Sequence, residues 1–286
     1  MCVPNRYSSQ TRVFAAAQEV GGFNLLSSHV LSISSEVYFN LEPPAIDLAG
    51  TLPNISLNEL IRELKSGDKV FVAASIDNRN TQTLPLYRYA KKSNVDFTIS
   101  LDNWVYFSER LVGIGPARLI VYDEFALHFA KRVFGDFHDV ILVKNHYLNE
   151  ICKVATSKRS EENSWLFVDA RPNLFTIFDK DLHEIGCCCT QIETILKEGG
   201  TVTFRPHPSF KRKTCVNYLS AKYDARFRIS EENVLYRDLF NHSHVLGSPG
   251  YALYVASQAG KQVFSTASTN SEWNGPNFKK FLNEFL

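Results

Sequence analysis

Short apolar runs alternate with amphipathic stretches along nearly the whole chain. Arg12–Gln18 carries Val-Phe-Ala-Ala-Ala and predicts a first strand; the apolar segment Leu25–Ile33 predicts a helix. Glu36–Leu41 alternates like a second strand, with Pro43-Pro44 at its exit. Ser56–Lys65 places Leu57, Leu60, Ile61 and Leu64 on one helical stripe, with Ser56 as its N-cap. Strands are then expected at Lys69–Ala74, Asp96–Leu101, Arg118–Tyr122 and Asp139–Val143, and helices at Leu84–Lys92, Phe125–Phe134 and Tyr147–Val154. A repeating strand–helix order of this kind implies an α/β domain on a mostly parallel sheet.

The polar stretch Ala155–Asn163 has no apolar period and is the best linker in the chain. After it the pattern restarts, with strands expected at Ser164–Asp169, Thr201–Arg205, Ala225–Ile229, Ser243–Leu246 and Gln262–Ser265. Helices are expected at Leu182–Glu198, from Ser230 to Asn241, at Tyr251–Ala259 and at Phe278–Leu286, with a basic linker and the segment Tyr218–Tyr223 between the second and third strands. Two domains follow, residues 1–160 and 161–286. The opening order of strand, Gly21-Gly22 loop and helix is Rossmann-like. It lacks a Gly-x-Gly-x-x-Gly fingerprint, and the chain has no Gly-x-x-x-x-Gly-Lys-Ser/Thr loop, so neither nicotinamide binding nor a P-loop is supported.

Composition changes this picture little. The 286 residues are 44% hydrophobic and 21% charged, ordinary values for a globular protein. A net charge of +1 sets aside a broad nucleic-acid-binding surface. No apolar run reaches the roughly 18 residues of a membrane span, and Met1-Cys2-Val3-Pro4-Asn5-Arg6 lacks the charged-then-apolar pattern of a secretory leader. The expected location is therefore the cytoplasm. Cys2, Cys152, Cys187, Cys188, Cys189 and Cys215 include no Cys-x-x-Cys pair, which fits reduced thiols better than a disulfide framework or a common zinc site. The run Cys187–Cys189 reads as small apolar filling. His242-x-His244 has no carboxylate or thiol cluster beside it and reads as structural rather than metal-binding.

The chemistry concentrates in Thr201–Pro208, Thr-Val-Thr-Phe-Arg-Pro-His-Pro. Two prolines end the strand and fix the direction of the imidazole between them. Ligands of parallel α/β sheets bind beyond the carboxyl ends of the strands. Arg205 and His207, with Lys211, Arg212 and Lys213 just beyond, are thus expected to receive an anion, most simply a phosphate. The loop Ser248-Pro249-Gly250 precedes a helix whose first amides form a second anion site. A plain turn with an N-cap is the simpler alternative there.

These motifs resemble known ones. Thr201–Pro208 resembles the His-Pro motif of bacterial sialyltransferases, of the Kdo transferases of capsule and lipopolysaccharide assembly, and of related polysaccharide enzymes. Ser248-Pro249-Gly250-Tyr251, followed by Ala256-Ser257-Gln258-Ala259-Gly260-Lys261-Gln262-Val263, resembles their Ser-containing loop and helix. Two Rossmann-like halves facing a cleft match the GT-B architecture of glycosyltransferases. The resemblance implies a metal-independent glycosyltransferase with no cofactor, moving a sugar from a nucleotide-sugar donor, with CMP-sugars favoured, to a glycan or lipid-linked glycan hydroxyl in bacterial surface polysaccharide assembly. It implies nucleotide binding by Arg205, His207, Pro208, Ser248, Pro249 and Gly250, and acceptor binding by Gly21, Gly22 and Trp104. His207 would stabilise the departing phosphate. Glu19 is the leading candidate for catalytic base, Asp102 the second, and Asp123 with Glu124 the third. Each of these carboxylates also reads as an N-cap or a solvated loop residue.

The same fold admits a sugar-nucleotide epimerase or hydrolase, a polyol-phosphate transferase, or a non-catalytic binding protein. The aromatic and basic stretch from Trp273 to Phe285 is a candidate for peripheral contact at the inner face of a membrane, a packed terminal helix being the simpler reading.

Overall fold

The computed structural model describes residues 11–43, 45–75, 82–102, 104, 107–155, 161–169, 180–207, 213–232, 234–247 and 250–265; of 48, 155, 180–188, 213–215 and 265 it describes the backbone alone. The chain divides into two compact units, Met1–Tyr147 and Leu148–Leu286.

The first unit is built on strands β1 (Val13–Ala17), β2 (Val37–Leu41), β3 (Lys69–Ala73), β4 (Asp96–Ser100), β5 (Arg118–Val121) and β6 (Asp139–Leu142). Its helices are α1 (Val20–Ile33), α2 (Ala45–Ala49), α3 (Leu57–Glu63), α4 (Thr83–Ser93), α5 (Phe107–Arg110) and α6 (Glu124–Phe134). All strand pairs are parallel, in the order β2-β1-β3-β4-β5-β6. Every residue of β1 is buried, as befits a central strand covered on both faces. The chain moves outward from β1 to β2, then returns to the other side of β1 for β3. That reversal is the topological switch point of the sheet, beside which ligands bind in open α/β folds.

Helix α7 (His146–Ala155) carries the chain across the division between the units. The division falls ahead of the expected linker, and the polar residues Glu161, Glu162 and Asn163 belong to a strand. The second unit holds β7 (Glu161–Val168), β8 (Thr201–Arg205), β9 (Phe227–Ile229), β10 (His242–Gly247) and β11 (Gln262–Ser265). Its helices are α8 (Lys180–Lys197), α9 (Lys213–Lys222), α10 (Leu235–Asn241) and α11 (Tyr251–Gln258). The parallel order is β11-β10-β7-β8-β9, so here the switch point lies between β7 and β10. Phe167, Ile192, Leu196, Val202, Phe204, Leu219 and Leu246 form its apolar core. Cys189 packs in the same core, in line with the apolar role read for it; the side chains of Cys187 and Cys188 lie outside the described residues.

Local sequence explains the helix ends. Ser56 and Glu59 form a capping box at α3: the Ser56 hydroxyl accepts from the Glu59 amide at 3.2 Å, and Glu59 accepts from the Ser56 amide at 2.8 Å. Asn94 ends α4 in the left-handed region at φ 51°. Two starts differ from expectation. Helix α10 begins at Leu235, not Ser230, because the Ser230 hydroxyl is turned inward to Asp238 at 2.7 Å. Helix α1 begins at Val20, which puts Gly21 and Gly22 in its first turn instead of a preceding loop. A Cβ on Gly22 would lie 2.8 Å from the Ala73 Cβ, so the glycine is what lets α1 lie close against β3.

Gly22→Ala therefore overpacks this contact. The expected loss is about 1–3 kcal/mol of unfolding free energy, read from the midpoint of a urea transition.

Candidate functional site

The carboxyl edge of the first sheet gathers polar side chains from adjacent strands. Glu19 follows β1, Ser75 follows β3 and Asp102 follows β4. Glu19 is the N-cap residue of α1 in extended backbone, and its side chain makes no capping bond to that helix. Its Oε1 instead accepts from the Ser75 hydroxyl at 3.1 Å. This pair bridges β1 and β3, the two strands that flank the switch point.

Asp102 has another task. Its Oδ1 is paired with the Arg110 guanidinium, whose side chain is 1% exposed, and the same Arg110 nitrogen donates to the Ala74 carbonyl at 2.8 Å. A Cβ on Gly21 would lie 2.9 Å from the other oxygen of Asp102. The glycine pair is thus approached by Asp102 and Ala73. The acceptor-binding role expected for Gly21 and Gly22 gives way to a packing role, and Asp102 is held in an internal ion pair instead of standing ready as a base. Trp104 is likewise corrected. It is 4% exposed, donates its indole N–H to Asp123 at 2.9 Å and meets Phe125 edge-on, whereas stacking on a sugar needs an open ring face. Asp123 caps α6 through the Ala126 amide at 2.8 Å. Burial raises its carboxyl above the ordinary value.

In the second unit β8 ends at Arg205, and Pro206 and His207 follow. Arg205 is turned inward. Its guanidinium is paired with the buried Asp238 and donates to the Glu232 carbonyl at 2.8 Å. Arg205, expected to receive a phosphate, here makes a buried pair with Asp238. His207 is half-buried at the strand exit. Its loop is anchored by backbone bonds from Asp169 to the Arg205 carbonyl at 2.9 Å and from Ser230 to the Phe204 carbonyl at 2.8 Å. Pro208, Ser248, Pro249 and the basic residues Lys211 and Arg212 lie outside the described residues, as does the side chain of Lys213. Gly247 closes β10, where a Cβ would lie 2.7 Å from the Val168 carbonyl oxygen, so the two strands of this switch point approach too closely for a side chain. Gly250 is the extended N-cap residue of α11, whose first turn holds no acidic residue.

His242 and His244 are engaged within the fold. His242 is buried; its Nδ1 meets the Asp238 carbonyl at 2.6 Å and its Nε2 the Thr203 hydroxyl at 2.8 Å. Burial lowers its pKa, and those of His29 and His138, below the ordinary imidazole value. His244 stacks on Trp165 at 4.4 Å. Among the described residues no three His, Cys, Asp or Glu side chains form a group that could hold a metal, and no helix is long and apolar enough to cross a membrane. Three participants were not singled out from sequence: Ser75, Arg110 and Asp238. Ser75 had a signal, since it directly follows the apolar run of β3 as Glu19 follows β1. Arg110 and Asp238 had none, because each meets its partner through the fold.

Comparison with solved structures bears on the fold. The chain is similar to the UDP-GlcNAc 2-epimerase of Methanocaldococcus jannaschii in complex with UDP-GlcNAc and UDP, with a TM-score of 0.63, 14% identity, and 89% of this chain and 83% of that one covered. It is similar to S. aureus MnaA solved with UDP, with a TM-score of 0.60, 12% identity, and 92% and 80% covered. At such identity the likeness establishes architecture: two parallel-sheet, Rossmann-like halves of the GT-B type. Neither a protein-family model nor a curated protein matches the sequence.

The inward turn of Arg205 has a measurable consequence. Arg205→Met leaves the Asp238 carboxylate buried without its guanidinium, and unfolding free energy is expected to fall by about 3–5 kcal/mol. Combining it with Asp238→Leu should recover most of that loss in the same denaturant titration. An Arg205→Met protein of unchanged stability would restore the view of Arg205 as a ligand-facing cation.

Proposed function

We propose that the chain is a sugar-nucleotide enzyme that transfers a glycosyl group to a hydroxyl, with Glu19 as its base and His207 on the nucleotide side. The observation that carries this reading is the Glu19–Ser75 pair at the switch point of the first sheet. A carboxylate there lies where ligands of such sheets bind, and one of its oxygens accepts from the Ser75 hydroxyl. Of the carboxylates considered, Asp102 pairs with Arg110 and Asp123 caps α6, and we assign proton transfer to Glu19 at the switch point.

In this reading Glu19 takes the proton of the acceptor hydroxyl as its oxygen bonds to the anomeric carbon of the donor. The bond from that carbon to the phosphate oxygen breaks, and its electron pair leaves with the nucleotide. His207 and the first amides of α11, beyond Gly250, stabilise the charge that develops on the departing phosphate. Arg205 has no part in this step. The His-Pro resemblance favours a CMP-sugar donor, and Ser248 would complete the phosphate site.

A second reading has a specific observation behind it. The two similar structures described above are a UDP-GlcNAc 2-epimerase and a protein solved with UDP, and each has most of its length in common with this chain. Under it the same unit holds a UDP-sugar, and the product is an isomerised sugar nucleotide.

The products separate the two. The protein is incubated with CMP- and UDP-sugars, with and without a glycan acceptor, and followed by proton and phosphorus NMR. Transfer gives nucleotide and a new glycosidic signal only when acceptor is present; epimerisation gives a new sugar-nucleotide anomeric signal without it. Glu19→Gln is expected to lower transfer about 10²–10⁴-fold. Full transfer activity in that variant would remove Glu19 from the reaction.

A further inference from the structure

The carboxyl edge of the first sheet holds a chain of contacts more extensive than a base alone requires. Ser75 is 5% exposed and donates to Glu19 Oε1 at 3.1 Å. It directly follows Ala74, whose carbonyl accepts from Arg110 at 2.8 Å. Arg110 is buried and paired through the same nitrogen with Asp102. Asp102 lies against Gly21 and Gly22 in the first turn of α1, the helix whose N-cap residue is Glu19. One guanidinium therefore ties together the exits of β3 and β4. It also reaches the start of α1 through Asp102. Glu19 is set from two sides, by a hydroxyl on its carboxylate and by the placement of its backbone.

We propose that Ser75 is a positioning residue for Glu19, and that Arg110 sets Ser75 and the first turn of α1 in the arrangement this requires. The inference rests on the reading of Glu19 as the base and adds two residues to it. The chemistry of the partners is suited to the task. A base must stay in one rotamer and still accept a proton. A serine hydroxyl fixes one carboxylate oxygen, and with it the plane of the group, without adding a positive charge that would oppose protonation. A cation at the same place would hold Glu19 more firmly and blunt it. In this edge Arg110 is directed to Asp102 and the Ala74 carbonyl, and the Ser75 hydroxyl donates to Glu19. Burial of Ser75 and Arg110 keeps water from competing for either contact.

The test reads Glu19 itself and needs no substrate. Glutamate carboxyl carbons are labelled with ¹³C, the signal of Glu19 is assigned by its loss in Glu19→Gln, and its titration is followed by NMR. Loss of a donor to the ionised form moves the midpoint to higher pH, so Ser75→Ala is expected to shift it up by about half to one pH unit. Ser75→Thr, which keeps the hydroxyl, is expected to return it to the unsubstituted position. Arg110→Lys keeps a charge for Asp102 but not the shared geometry, and should move the Glu19 midpoint in the same direction as Ser75→Ala. An unmoved midpoint in Ser75→Ala, or a shift that Ser75→Thr does not reverse, overturns the role of Ser75. An unmoved midpoint in folded Arg110→Lys overturns that of Arg110. A protein whose Glu19 follows this pattern and yet turns over no sugar nucleotide retains the positioning network and loses the reaction assigned to it, so the two failures are distinct.

Discussion

Each unit secures the carboxyl edge of its sheet with one buried arginine–aspartate pair. In the first unit Arg110 meets Asp102 and also holds the Ala74 carbonyl. In the second Arg205 meets Asp238 and also holds the Glu232 carbonyl. Taking both charges of such a pair out of water is costly, and only good geometry with further hydrogen bonds repays it. Here the remaining bonds come from backbone carbonyls and from Ser230, which donates to Asp238. The pairs tie the strand exits to neighbouring elements, and the candidate residues Glu19 and His207 lie at such exits.

Two charges that read as functional in the sequence are engaged inside the fold. Asp102 and Arg205 look from the sequence like a base and a phosphate receptor, and both are spent inside the fold. Glu19 and His207 sit one step further along, on loops that those pairs hold still. The glycines follow the same logic: Gly22 admits Ala73, Gly21 admits Asp102, and Gly247 admits the Val168 carbonyl. In each case missing Cβ atoms serve close contact between elements of the protein. These contacts bring α1 close against the first sheet and β10 close against β7.

The alternation of apolar runs made the fold readable. Every expected strand of both sheets is present, and the central ones were the plainest, because a strand buried on both faces leaves a near-continuous apolar run. The capping box at Ser56 was equally legible, since it is local. What depended on distant partners was not. The sequence marks Arg205 as basic beside a histidine, and nothing local announces that Asp238 lies opposite it. Trp104 reads as a sugar platform until its burial and its bond to Asp123 are seen. Ser230 reads as a helix cap, and its hydroxyl is drawn to Asp238 instead. The candidate base was found from its position after β1, a topological cue, while its partner Ser75 was passed over at the equivalent place after β3.

The central claim is that the exit of β8 receives the phosphate of a nucleotide. Isothermal titration of CMP and UDP into the unsubstituted chain and into His207→Ala tests it most directly. The account predicts saturable binding of one of the two nucleotides, weakened about tenfold or more in His207→Ala, the expected loss for a charge-assisted contact. Binding of neither nucleotide, or equal binding by the two proteins, would contradict it.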